Sequence, residues 1–242
     1  MFRSFFLILI IAHVLGDFYF QSNKLAEKKQ KDHRYVLMHS LLYLVVLCIC
    51  IIPFWSNSLF IAILVLAVAH LITDSCKYAW CKRHEHSHIT YFVDQVIHVG
   101  CIAAASAYMT YNDYMLSMLP AIEGSLTMVN GDPGKPFLWV GLTLLILKPA
   151  NVTIKRLTDR FKPTDDIENG KENAGALIGS LERLIAILLI SIGQYAAIGL
   201  VLTAKSVARY NKISESKQFA EYYLLGTLAS LLYAVLAYFL FF

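Results

Sequence analysis

Apolar residues run through the chain in seven blocks, at roughly 4–22, 35–52, 58–77, 90–110, 137–154, 176–204 and 221–241. Each block approaches the ~20 residues that a helix needs to cross a bilayer. Polar connectors separate them, and Pro53 with the following SNS marks the second turn. The pattern predicts an all-α fold, a polytopic integral membrane helical bundle of about six or seven transmembrane helices. Residues 1–110 form a four-helix membrane half. Residues 111–136, interrupted by Pro120, Gly124, Gly131 and Pro133, read as an extracytoplasmic loop. Residues 137–242 form a C-terminal membrane half with two or three further helices.

Composition narrows the class. The chain is 57% hydrophobic and 16% charged, with a mean hydropathy of +0.56. Ordinary soluble domains carry about a quarter charged residues, and no stretch here leaves room for a soluble second domain. The first block has one basic residue, Arg3, and no small-residue cleavage pattern after it. It reads as a retained helix and not as a signal segment. The cysteines (Cys48, Cys50, Cys76, Cys81, Cys101) form no CxxC pair, so neither a disulfide framework nor a thiolate metal site is indicated. The net charge of +4 fits basic loops at a membrane surface better than nucleic-acid binding. The expected partner is membrane lipid, not nucleic acid, and a homo-oligomer stays open.

Basic residues set the orientation. Lys24, Lys28, Lys29, Lys31 and Arg34 lie in the first connector, Lys77, Lys82 and Arg83 in the third, and Lys155, Arg156, Arg160, Lys162 and Lys171 in the fifth. These connectors are expected in the cytoplasm, with the N-terminus outside. The sixth connector is basic too, with Lys205, Arg209, Lys212 and Lys217. Seven simple spans would place it outside. A broken or re-entrant 176–204 segment, bent at Gly193, would resolve the conflict.

Candidate chemistry interrupts the apolar blocks at helical spacing. IIAHVLGDFYFQ, residues 10–21, carries His13, Asp17 and Gln21 four residues apart. AHLITDSCK carries His70 and Asp74, and YFVDQVIHVG carries Asp94 and His98, each pair again four apart. His39 lies one turn inside the second block. Residues i and i+4 share a helix face about 6 Å apart, close enough to hold one ion. Measured along each helix from the basic flank, Asp74 lies ~5 Å deep, His39 ~8 Å, Asp94, His70 and Asp17 ~9–11 Å, and His98 and His13 ~15–17 Å. Antiparallel helices thus bring these groups to one leaflet. An aspartate at the centre of a membrane helix costs roughly 2.5–3.5 kcal/mol on insertion scales, so three need neutralising. A divalent cation would do this, and His/Asp ligands suit Zn²⁺, Mn²⁺ or Fe²⁺. A hydrogen-bonded structural network and a proton relay are the competing readings.

Weaker signals lie elsewhere. His84, His86 and His88 alternate in a turn and read as an interfacial cap. Lys148, Glu182, Arg183, Lys205, Arg209 and Glu221 are either interfacial anchors or, for the cations, the lining of an anionic substrate site. No P-loop, nucleophile elbow or dinucleotide fingerprint is present.

AHVLGDFYFQS, His39, HLITDSCK and FVDQVIH together resemble the bacterial membrane family labelled domain of unknown function 3307 (DUF3307). LKPAN, GSLERLIA, TAKSVARY and FAEYYLLGTLAS look like the long form of that family. His13, Gly16, Asp17, Gln21, His39, His70, Asp74, Lys77, Asp94, Gln95 and His98 carry the likeness, and the His84–His88 cluster is not part of it. The resemblance implies a multi-pass protein of the bacterial inner membrane with unassigned chemistry. The ligand set is also similar in style to small membrane proteins described as metal-dependent hydrolases.

The sequence therefore leads to an intramembrane metal-dependent hydrolase of a lipid or lipid-linked phosphoester. Metal ligands would come from His13, Asp17, His39, His70, Asp74, Asp94 and His98. A surplus carboxylate among Asp17, Asp74 and Asp94 would be the general base. Gln21, Gln95, Lys148 and Arg183 would meet substrate. The alternatives are a proton or divalent-metal transporter or channel, and a structural accessory subunit.

Overall fold

The computed structural model describes residues 1–84, 88–120, 122–125, 134–163 and 172–242. Among them there is no strand, and the fold is an all-α membrane bundle. Seven helical segments are long and apolar enough to cross a membrane: Phe2–Tyr19, His33–Phe54, Asn57–Cys81, His88–Tyr111, Gly134–Phe161, Ala174–Ser191 and Lys217–Phe241. The chain divides into two compact units, residues 1–141 and 142–242.

The first unit is a ring of four helices. They are α1 (Phe2–Val14), α3 (His33–Ile51), α4 (Asn57–Cys81) and α5 (His88–Tyr111), with a short α2 (Asn23–Lys31) between the first two. Helix α1 packs on α3 and α5, and α4 packs on the same two, while α2 lies against α3 and α4. Side-chain caps start three of these helices. Ser22 accepts from the Leu25 amide at 3.2 Å, Asp32 from Arg34 at 2.9 Å and Ser56 from Leu59 at 3.2 Å. Helix α2 was expected only as a polar connector. Its Lys, Glu, Gln and Ala residues have high helix propensity, but they are polar all round and show no apolar period.

Burial in this unit is inverted relative to a soluble bundle. One end of the interior is apolar, filled by Leu9, Leu47, Ile63 and Ile102. The other end buries His13, His39, His70, Asp74, Asp94 and His98. Outward faces carry Leu41, Val45, Ile49, Val65, Val68, Val93 and Val96, all exposed. An apolar exterior around a polar interior suits lipid as the surrounding solvent.

The second unit contains the end of α6 (Gly134–Ile146), then α7 (Lys148–Thr158), α8 (Glu172–Ser191), α9 (Tyr195–Ala208), α10 (Tyr210–Glu215) and α11 (Lys217–Phe241). Two of the apolar blocks are each two helices, the fifth against expectation and the sixth at the bend expected from Gly193. The fifth breaks at Leu147, where Pro149 lacks an amide and its ring crowds the preceding turn. The sixth breaks at Gly193, whose φ of +72° suits glycine. The 14-residue α9 reaches only ~21 Å, short of the ~30 Å hydrocarbon layer. Arg183, 2% exposed, knits this unit together. Its Nε donates to the Ile146 carbonyl at 2.6 Å, beside the proline break. Nη1 donates to Ser230 Oγ at 3.0 Å, and Nη2 to Asn151 Oδ1 and to Ser180 Oγ. Glu182 pairs with Lys205 at 2.7 Å, joining α8 to α9.

In the first unit, Gly16 sits where a Cβ would lie 2.6 Å from Tyr43 Cδ2 and 3.1 Å from Cε2. The Tyr43 ring therefore rests directly on the backbone of the first helix. Gly16→Ala is expected to push the ring away and destabilise the protein by ~1–3 kcal/mol, as overpacking does. Thermal unfolding in mild detergent checks this, and an unchanged midpoint would refute the close packing.

Candidate metal centre

Asp17 owes its position to a local irregularity. Residues Leu15–Tyr19 form a π-helical turn, closed by the Phe20 amide bonding to the Leu15 carbonyl at 2.9 Å. The extra residue widens the helix, a feature common at functional sites. Gln21 lies beyond the helix end, so it does not continue the stripe of His13 and Asp17. The other pairs keep regular α-helical spacing on α4 and α5.

Four helices aim their polar groups at one volume. His39 Nε2 lies 3.2 Å from Asp17 Oδ1, 3.1 Å from His70 Nε2 and 3.7 Å from Asp74 Oδ2. His70 Nε2 is 3.5 Å from Asp74 Oδ2. His98 Nε2 is 4.0 Å from Asp74 Oδ1 and 3.8 Å from Asp94 Oδ1. Two groups could each hold a metal ion, Asp17–His39–His70 and His70–Asp74–His98, with ligand atoms within 4.8 Å of one another. Ligands bound at about 2.1 Å to a single ion stand about 3.0–3.4 Å apart, so the closest of these contacts already have the right edge lengths. A proton on His39 Nε2 can serve Asp17 or His70 but not both, whereas a cation serves all of them.

His13 stands beside this cluster. Its ring is 5.2 Å from that of His98, and its Nδ1 lies 3.1 Å from the Tyr43 hydroxyl. Tyr43 also stacks flat on His70, with centroids 3.9 Å apart and planes at 7°. The aromatic ring thereby fixes two histidines at once.

Two lysines meet the carboxylates. Lys29 Nζ lies 2.7 Å from Asp74 Oδ2 and donates to Gln21 Oε1 at 3.0 Å. Lys77 Nζ lies 2.7 Å from Asp94 Oδ2. Gln95 Nε2 donates to Asp17 Oδ2 and Asp94 Oδ2, both at 3.3 Å. With neutral histidines, three carboxylates against two ammonium groups leave one negative charge. The lysine side chains are 13% and 31% exposed, against 2% and 4% for their aspartates. They mark the open side of the centre.

Several polar atoms in the centre are left over. The His13 Nε2, His39 Nδ1, His70 Nδ1, His98 Nε2 and Asp94 Oδ1 atoms are buried without a hydrogen-bond partner among the described residues. Each such orphan costs ~1–3 kcal/mol unless something binds it. For His98 Nε2 and Asp94 Oδ1, which face each other, a metal ion is a fitting partner.

The structure brings together His13, Asp17, His39, His70, Asp74, Asp94, His98, Gln21 and Gln95, all in the first unit. Lys148 and Arg183 belong to the second. Sequence spacing does not point to Lys29 or Tyr43. Tyr43 did have a signal, four residues after His39 on the same helix face. Lys29 had none, because it reaches the centre from a polar helix. Of the alternating histidines, His84 stacks on Trp80 at 4.2 Å, His88 opens α5, and His86 lies outside the described residues.

No curated protein and no solved structure matches the chain. A family model does match, over residues 5–123, and it ends before the LKPAN, GSLERLIA, TAKSVARY and FAEYYLLGTLAS stretches of the second half. The matched residues hold the whole His/Asp centre with Lys29, Lys77 and Tyr43, and this stretch of the chain belongs to the family described as Protein of unknown function (DUF3307).

Proposed function

We propose that the centre binds a divalent metal ion, zinc, manganese or iron, and that the protein is an intramembrane hydrolase of a lipid or lipid-linked phosphoester. The observation that carries this reading is the convergence of two groups, Asp17–His39–His70 and His70–Asp74–His98, each with ligand atoms within 4.8 Å, inside a membrane bundle. His13, Asp94 and His98 complete the ligand field or orient it. An ion held by these residues would supply a water of lowered pKa and a positive charge for the phosphoryl oxygen. One carboxylate among Asp17, Asp74 and Asp94 takes the proton of the attacking water. The new phosphorus–oxygen bond forms, the bond to the lipid oxygen breaks, and that oxygen receives the proton.

Substrate class follows from the mouth of the centre. Lys29 and Lys77 at its open side attract an anion, and Gln21 and Gln95 orient it. A centre placed in one leaflet of the bacterial inner membrane, on the cytoplasmic side, meets lipid headgroups. Lys148 and Arg183 lie in the second unit, and Arg183 is already committed to four protein acceptors there. The helix break at Gly193 favours a second reading, transport of protons or a divalent metal, since discontinuous helices are common in transporters.

Metal analysis by mass spectrometry on detergent-purified protein tests the first step. The wild type should carry bound metal, and Asp17→Asn, Asp74→Asn and Asp94→Asn should each hold less of it or bind it at least ~10-fold more weakly. A wild type that stays metal-free after supplementation would overturn the reading. Phosphoester turnover without ion flux in proteoliposomes separates hydrolase from transporter, and flux without turnover reverses the choice. Lys29→Gln should tighten Mn²⁺ binding by about tenfold, since Asp74 is then no longer shared with an ammonium. It should also raise KM for an anionic phosphoester. Unchanged Mn²⁺ affinity would show that Lys29 does not compete for the ligand oxygen.

A further inference from the structure

The centre has two ends, and Asp74 faces both. Its Oδ2 is turned to His39 and His70, at 3.7 Å and 3.5 Å. Its Oδ1 is turned to His98, at 4.0 Å. Beyond His98 stands Asp94, whose Oδ1 lies 3.8 Å from His98 Nε2. His98 and Asp94 are 4% and 5% exposed, and these two facing atoms have no hydrogen-bond partner among the described residues. A single ion among Asp17, His39 and His70 would leave both of them orphaned.

We infer that the centre is dinuclear, with Asp74 as the bridging carboxylate. One ion is held by Asp17, His39, His70 and Asp74 Oδ2, and the second by Asp74 Oδ1, His98 and Asp94. The inference rests on the metal reading above and deepens it. Bridging is what a carboxylate does when each oxygen faces a separate donor set. It also accounts for the number of donors, which exceeds what one tetrahedral ion takes. Paired ions about 3.5–4 Å apart clamp the attacking and leaving oxygens of a phosphoester. Lys29 and Lys77 leave the centre one negative charge, so two divalent ions make it strongly cationic. That excess selects a substrate carrying a phosphate anion over a neutral ester.

The test uses the full chain in detergent with Mn²⁺ alone as the probe. Metal analysis gives the stoichiometry, and electron paramagnetic resonance reports whether neighbouring Mn²⁺ ions are coupled. The expected result is two ions per chain with a coupled spectrum in the wild type. His98→Gln and Asp94→Asn should each keep one ion and give an uncoupled spectrum, while Asp74→Asn should lose the coupling. Circular dichroism and elution volume check that each variant is folded, and the wild-type spectrum decides the matter without any variant. One ion per chain, unaffected by His98→Gln, would overturn the dinuclear centre and leave the metal reading standing. Two uncoupled ions in the wild type would overturn the Asp74 bridge. No bound Mn²⁺, Zn²⁺ or Fe²⁺ would sink both this inference and the metal reading beneath it.

Discussion

Three carboxylates inside a membrane bundle are the constraint around which the first unit is built. Each would be costly alone, and none is alone. Asp74 and Asp94 each hold a lysine at 2.7 Å, and Asp17 holds His39 and Gln95. The lysines reach in from the more exposed side, so their stems stay near the surface while their charges meet the buried oxygens. This explains why α2 exists as a helix. A flexible connector could supply basic residues, but only an ordered turn fixes Lys29 between Gln21 and Asp74. It also explains the inverted bundle. The apolar groups that a soluble protein would place inside are spread over the outer face, where lipid takes them at no cost.

Departures from regular helix geometry are spent where the centre needs them. The π-helical turn at Leu15–Tyr19 re-aims Asp17, and Gly16 within it leaves room for Tyr43. Tyr43 then clamps His13 through its hydroxyl and His70 through its ring face. One glycine thus governs two histidines on two other positions of the bundle. A regular helix with any side chain at residue 16 would displace the tyrosine first and the imidazoles with it. The geometry of the centre is therefore a property of α1 and α3 packing as much as of its own histidines and aspartates.

The sequence made the spans legible because runs of Leu, Ile, Val and Phe of bilayer length have few other readings. The i, i+4 pairs on α4 and α5 were equally legible, since an aspartate and a histidine on one membrane-helix face are rare and costly. Gly193 advertised its break through a residue type that tolerates positive φ. What stayed hidden depended on contacts between helices. Spacing within α2 says nothing about Asp74, which lies 45 residues away. Leu15–Tyr19 has no residue that announces a π turn. The break at Leu147 is written in Pro149, but its repair by Arg183 spans 37 residues and shows only in three dimensions. Arg183 looked in sequence like a free cation near a membrane surface. It is a buried tie between helices.

The two units treat buried charge differently, and the difference separates chemistry from architecture. In the second unit Arg183 donates to four protein oxygens, and Glu182 and Lys205 satisfy each other at 2.7 Å. A network closed in this way makes rigid structure and leaves few atoms for a ligand. In the first unit one nitrogen each of His13, His39, His70 and His98, and Asp94 Oδ1, are buried without partners among the described residues, even though lysines already neutralise two carboxylates. Folding alone would not retain orphaned atoms at ~1–3 kcal/mol each when small polar neighbours could satisfy them. For His98 Nε2 and Asp94 Oδ1, which face each other across 3.8 Å, a cation is a fitting partner. The family match, over residues 5–123, covers the whole of this centre and none of the closed network of the second unit.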